Sequence, residues 1–359
     1  MTAPAAPAHD IVLEVLEGCA PFARAEAQQL GEANLVGPTE VRLRTADLTG
    51  VKSLRRVVAA YLVLRIPARR PTELLETSVQ QEIAESIALI RRSAPKPRFT
   101  GVRLRAAGAD TAPMRRLESE IAAGADLPVQ EDGDLVVRVR KAKDLLVSGR
   151  SALAPALPPG PAWELLIRLT PRPLATRAWR TVNYPGAVNA AIAASALDIL
   201  DVGAEDSLLD MTCGSGTFLI EQLHEAVPER IVGVDLSAEA LAAASAHQRA
   251  ARRRGRIDWL QGDVLTMPLE GGFTRLISNP PWGTLLGEHE TNEELLRALL
   301  GRAEELAAPS ARLAILTHEI GRMESVIAGG TGSWSLLQEH RFFQKGHHPR
   351  LFVFERTQG

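Results

Sequence analysis

Leu208-Leu-Asp-Met-Thr-Cys-Gly-Ser-Gly-Thr-Phe-Leu219 is the stretch that decides how this chain folds. Its apolar start reads as a short buried strand ending in Asp210, its centre as a glycine turn, Gly214-Ser215-Gly216, and its end as the opening of a helix. Glycines there allow a sharp turn and a close approach of backbone to ligand, and ligands of open α/β sheets lie at the carboxyl ends of the strands. Further along, Ile231 to Asp235 is a second strand ending in an acid, 25 residues after Asp210. Ile257 to Gln261 leads into Gly262-Asp263-Val264, and Phe273 to Ser278 leads into Asn279-Pro280-Pro281-Trp282. Helical patterns over Ala187 to Leu200, Phe218 to Ala226, Ala238 to Arg253 and Glu293 to Ala307 alternate with these strands and with Arg312 to Thr317. Such alternation predicts a mostly parallel sheet covered by helices on both faces, closed by a last strand over Leu351 to Phe354.

The strand-end acids suit a nucleoside. Asp235 is placed to accept both ribose hydroxyls, and Asp263 to accept from an adenine amino group. The same residues also read as tight-turn glycines and helix-capping acids. No GxxxxGK[ST] cradles a triphosphate, and Leu219 stands where a GxGxxG dinucleotide turn needs its third glycine. S-adenosylmethionine has no phosphate and needs only ribose, adenine and amino-acid contacts.

Asn279-Pro280-Pro281-Trp282 fits chemistry on an exocyclic amine. The lone pair of a nucleobase amino group is delocalised into the ring. An amide oxygen from Asn279 and the main-chain carbonyl of Pro280 accept its two N–H bonds and push the nitrogen towards sp³ character, while Pro281 keeps the backbone rigid. Trp282 stacks on the base and holds it for in-line attack, which requires a base flipped out or lying in a loop. A rigid turn followed by a core tryptophan is the structural alternative.

The amino-terminal half has another texture. Ile11 to Leu16, Pro21 to Leu30, Val41 to Leu43, Leu48 to Ala60 and Tyr61 to Ile66 read as β-α-β-α-β, the order of a small ferredoxin-like domain. After a break at Arg69-Arg70-Pro71 come a helix over Leu74 to Ile90, a strand over Phe99 to Arg105 and a helix over Ala112 to Ala123. An alternating strand over Asp134 to Arg140 and one more over Leu165 to Leu169 follow. Period-two spacing puts Arg103 with Arg105, and Arg138 with Arg140, on one face of their strands, where they are candidates for RNA phosphates. A solvated face is the plain alternative for each pair.

With 359 residues and 45% hydrophobic content the chain can build two or three cores. Two cysteines exclude a disulfide framework, and no His/Cys cluster has zinc spacing, so no metal is expected and a reducing cytoplasm fits. No signal peptide or membrane-length apolar run is apparent. His347-His348 reads as a turn, Cys213 as a small spacer, and Arg252-Arg253-Arg254 as cations at a helix C-terminus.

These motifs resemble the THUMP-domain-containing class I S-adenosylmethionine-dependent RNA (guanine-N2) methyltransferases. Asp210 to Glu221 is close to that family's first motif. Asn279-Pro-Pro-Trp-Gly283 matches its catalytic motif with Trp where Tyr is usual, and Leu169 to Arg180 looks like its junction between THUMP and catalytic domains. The resemblance implies a ferredoxin-like domain over 1–70, a THUMP domain over 71–172 and a Rossmann-like methyltransferase domain with a seven-stranded sheet over 173–359. It implies S-adenosylmethionine held by Asp210, Cys213, Gly214, Gly216, Thr217, Phe218, Asp235, Leu236, Asp263, Val264 and Asn279, with Asn279, Pro280, Pro281 and Trp282 catalytic. Structured RNA, tRNA before rRNA, would be gripped by the arginines above together with Arg177 and Arg180 at the junction. Adenine N6 and cytosine N4 stay open as acceptors, as does a non-catalytic RNA-binding protein with a relic pocket.

Overall fold

The computed structural model describes residues 7–93, 96–142, 160–281, 289–344 and 346–357, the side chains of 289–292 excepted. They gather into two compact units, Met1–Val15 with Ala20–Thr176, and Leu16–Cys19 with Arg177–Gly359. No helix among the described residues is long and apolar enough to cross a membrane.

The first unit is α+β. Its elements are β1 (His9–Glu14), α1 (Ala20–Ala27), β2 (Glu32–Gly37), β3 (Glu40–Thr45), α2 (Leu48–Val51), β4 (Ala59–Pro67), a 3-10 turn over Pro71–Leu75, α3 (Thr77–Ser93), β5 (Val102–Ala106), α4 (Ala112–Ala125), β6 (Leu135–Lys141) and β7 (Ala162–Arg168). One sheet, β2-β3-β1-β4-β7-β6-β5, runs through both the 1–70 and the 71–172 segments; only β5 and β6 pair in parallel. Strand alternation sends Ile11, Leu43, Leu62, Val137 and Ile167 to the core beneath α1, α3 and α4. The helix expected over Leu48 to Ala60 stops at Val51. Beyond it the Glu26 carboxylate accepts from the amides of Arg55 and Arg56, and the β-branched Val57-Val58 leads into β4.

In the second unit the order is α5 (Ala190–Leu200), β8 (Ser207–Asp210), α6 (Thr217–Glu225), β9 (Arg230–Asp235), α7 (Ala238–Ala251), β10 (Asp258–Gln261), β11 (Phe273–Ser278), α8 (His289–Leu306), β12 (Ala307–Thr317), α9 (Ile320–Ala328), β13 (Trp334–Arg341) and β14 (Arg350–Arg356). Its seven-stranded sheet, β10-β9-β8-β11-β12-β14-β13, is parallel across the first five strands and antiparallel at β14. Neighbouring residues part to opposite faces. Leu208, Ile277 and Val353 pack with Ile192 of α5 and Leu219 of α6. Leu209, Leu276 and Phe352 pack with Leu299 of α8 and Met323 of α9. The chain moves outward from β8 through β9 to β10, then returns to β11 on the other side of β8. That reversal opens a crevice at the carboxyl end of β8, the place where open α/β sheets bind ligands.

Candidate active site

Asp210 closes β8 and is buried. Its Oδ1 accepts from the Thr212 amide at 3.3 Å, whereas its Oδ2, out of contact with solvent, has no partner. Burial pushes the carboxyl up to about 8, against the opposing Thr212 amide, with Asp235 adding to the rise. The turn that follows is tied down strand by strand. The Cys213 amide donates to the Val234 carbonyl of β9 at 2.9 Å, and the Gly214 amide to Asp235 Oδ2 at 2.8 Å.

The two glycines of the turn do different work. Both have positive φ, 51° at Gly214 and 80° at Gly216. An added Cβ at Gly214 would meet nothing within 4 Å, so only the backbone conformation asks for glycine there. At Gly216 it would lie 2.5 Å from Cη2 of Trp259 on β10, so the indole ring fills the place of a side chain. His247 of α7, fully buried, braces the same turn: Nδ1 is 3.1 Å from the Ser215 carbonyl, and Nε2 accepts from the Val182 amide at 3.1 Å. The Nδ1-protonated tautomer satisfies both contacts.

Asp235 ends β9 and also accepts from the Ser237 amide through Oδ1 at 2.9 Å. After it Leu236 is 71% exposed, an apolar side chain left at the rim. Past β10, Asp263 Oδ1 accepts from the Leu265 amide at 3.0 Å, and Val264 is buried. Asn279 follows β11, directly beside the β8 turn. Its amide donates to Thr212 Oγ1 at 3.2 Å, and that hydroxyl is also 2.8 Å from Ser278 Oγ. The Asn279 Oδ1 is buried without a partner, Pro280 is buried and Pro281 is exposed. Trp282 lies outside the described residues.

Several expected contacts change meaning. The Phe218 side chain is packed in the core with Leu208 and Leu219, so only its backbone is available to a ligand. Thr217 spends its hydroxyl on Arg180, at 2.8 Å. Burial raises the Cys213 thiol well above its usual value. Arg177, read as an RNA contact, is a buried bidentate partner of Glu221, at 2.8 and 3.0 Å. Arg140 is likewise committed, to Glu40 at 2.8 Å and Glu164 at 2.9 Å, because the sheet sets two carboxylates beside it. Arg138 pairs with Glu14 at 2.9 Å and lies over the Tyr61 ring. Arg103 and Arg105 stay on that same sheet face, Arg105 exposed and in register with Arg138. His347 meets His318 edge to face at 5.2 Å. Among the described residues no three His, Cys, Asp or Glu are grouped to hold a metal ion.

Comparison with known proteins gives this crevice its context. A family model described as UPF0020, RMKL-like, methyltransferase domain matches residues 177–350. A tRNA (guanine(6)-N2)-methyltransferase of Archaeoglobus fulgidus is 29% identical over 168 residues, covering 40% of this chain and 42% of the relative. The Thermus thermophilus protein of the same name is 28% identical over 195 residues, 53% of this chain and 56% of the relative. The chain thus spans about half the length of the curated relatives it matches. The crystal structure of TrmN from Thermus thermophilus aligns with TM-score 0.70 and 20% identity over 97% of this chain and 99% of that one, which shows a shared class I methyltransferase fold. Residues 177–350 form a methyltransferase domain of the UPF0020, RMKL-like family.

Proposed function

We propose that this chain transfers a methyl group from S-adenosylmethionine to the exocyclic N2 of guanine in a structured RNA, tRNA in the first instance. One observation carries the reading: the Asn279 amide oxygen, buried and unpartnered, stands beside the glycine turn through the Thr212 hydroxyl. A buried acceptor without a donor costs about 1–3 kcal/mol, so an N–H from outside is the natural partner.

The residues present fit the cofactor. The orphaned Asp210 Oδ2 suits a cationic group, the Asp235 carboxylate a ribose, and Asp263 with the exposed Leu236 and buried Val264 an adenine. When bound, S-adenosylmethionine supplies a methyl group already activated for transfer, so no covalent nucleophile is required. The work of this chain is to orient the acceptor. Asn279 Oδ1 and the Pro280 carbonyl accept the two amine hydrogens and free the lone pair for in-line attack. Thr212 fixes the Asn279 backbone, and Trp282 supplies the stacking surface.

The RNA grip falls to the first unit, read as ferredoxin-like over 1–70 and THUMP over 71–172. Arg103 and Arg105 are its best phosphate contacts, with Arg138 beside them. Two free thiols, Cys19 and Cys213, support a reducing, cytoplasmic setting. Mass analysis of nucleosides from tRNA and rRNA, in cells with and without this gene, tests the assignment. Loss of N2-methylguanosine is the expected result; a change confined to methyladenosine or methylcytidine overturns it.

A further inference from the structure

The segment entering the methyltransferase domain leaves one partly buried cation without a counter-ion. Arg177 and Arg180 both feel Glu221 of α6, and Arg177 takes both oxygens of that carboxylate. Arg180 instead spends its guanidinium on the Val188 carbonyl at 2.9 Å and the Thr217 hydroxyl at 2.8 Å, and its buried Nε has no partner. Two guanidinium groups against one carboxylate leave a positive charge over, and charge taken out of water calls for a partner. Burial accordingly lowers the Arg180 pKa, against the pull of Glu221.

Two further features at the same spot favour an anion. Thr217 is the first residue of α6, a nine-residue helix capped by Gly216, so the helix presents its positive end and unpaired amides there. Ser215, 3% exposed, has a hydroxyl with no partner. The rest of the crevice carries the opposite sign, in Asp210, Asp235 and Asp263. A zwitterionic ligand would therefore find its cation and anion sites separated along one crevice.

We propose that Arg180, Ser215 and the first turn of α6 seat the α-carboxylate of the cofactor's amino-acid portion. This rests on the reading that the crevice takes S-adenosylmethionine. An RNA phosphate is the rival anion, and it fits less well. The guanidinium is turned onto Thr217 and Val188, with Nε out of contact with solvent.

Calorimetry on the full chain separates the cases, using S-adenosylhomocysteine and 5′-methylthioadenosine, which keeps the nucleoside and sulfur but lacks the amino acid. Arg180→Met is expected to lose about ten- to hundred-fold in affinity for S-adenosylhomocysteine, the worth of a charge-assisted hydrogen bond. Its affinity for methylthioadenosine should be unchanged, which also reports that the turn is folded, and Arg180→Lys should recover part of the loss. Equal loss for both ligands would make Arg180 a strut of the turn and overturn the proposal. Unchanged S-adenosylhomocysteine affinity would overturn it too, and with weakened binding of bulk tRNA would point to a phosphate contact. A wild-type protein that binds neither ligand would defeat the cofactor reading itself.

Discussion

Alanine at Gly216 and alanine at Gly214 put the same methyl group into one turn with different surroundings. At Gly214 the added carbon meets nothing within 4 Å, and the only cost is an L-residue at φ 51°. A left-handed conformation costs roughly 1–2 kcal/mol, which is the whole effect expected of Gly214→Ala. At Gly216 the same backbone cost applies at φ 80°, and the new carbon lies 2.5 Å from Trp259 Cη2 and 3.1 Å from the Ala244 Cβ. The indole cannot easily retreat, because its Nε1–H donates to Gln248 Oε1 at 2.9 Å. Overpacking of that kind adds about 1–3 kcal/mol, so Gly216→Ala should cost about 2–5 kcal/mol. Urea unfolding followed by circular dichroism gives both differences. Trp259→Leu removes the opposing ring and should return about 1–3 kcal/mol in the Gly216→Ala background, read as a double-mutant cycle. Equal destabilisation by the two alanines, or no coupling to Trp259, refutes the idea that the ring occupies a side-chain position.

Other consequences follow from buried charge. The folded Asp210 carboxyl, raised to about 8 chiefly by burial, lies above its unfolded value of 3.8. Its stabilising protonated form is fully present below the unfolded value and is lost as pH rises through the folded one. Wild-type stability should therefore fall relative to Asp210→Asn between pH 4 and pH 8, and a difference flat with pH would contradict this. Arg177→Met leaves the buried Glu221 uncompensated and should cost about 3–5 kcal/mol without changing the salt dependence of RNA binding. Weakened RNA binding at full stability would return Arg177 to the RNA surface. Asp235→Ala removes the acceptor for the Gly214 and Ser237 amides. It should weaken S-adenosylhomocysteine binding by about ten-fold or more, and equal affinity in calorimetry would strip Asp235 of its role.

The elements that frame the site were legible because their signals are local. β8 and β11 have the bounds read from the sequence, Ser207–Asp210 and Phe273–Ser278, since each is an apolar run stopped by a polar residue. β13 escaped notice: after the buried Trp334 it runs through five exposed residues and carries no period to read. β2, an edge strand of Glu-Ala-Asn-Leu-Val-Gly, is unreadable for the same reason. α9 follows β12 with neither a recognised cap nor a break between them. Within the site, a strand-end acid followed by a glycine turn is written in consecutive residues, so Asp210 and Gly214 stood out. Thr212 did not, because its bond to Asn279 spans 67 residues and depends on β8 lying beside β11. His247 and Trp259 reach the turn from α7 and β10 in the same way. The arginines were visible as charges, but their partners were not. Arg140 meets Glu40 from 100 residues away, and Arg177 meets Glu221 from 44.

The central claim is that the Asn279 amide oxygen holds the acceptor amine. Purified wild-type protein, Asn279→Ala and Asn279→Asp should be given radiolabelled S-adenosylmethionine and tRNA from cells lacking the gene, with the modified nucleosides resolved chromatographically. The account predicts labelled N2-methylguanosine with the wild type. It predicts a loss of about a hundred-fold or more in rate for Asn279→Ala, the scale on which positioning and polar stabilisation act, while S-adenosylhomocysteine binds both proteins. Full methyl transfer by Asn279→Ala would contradict it.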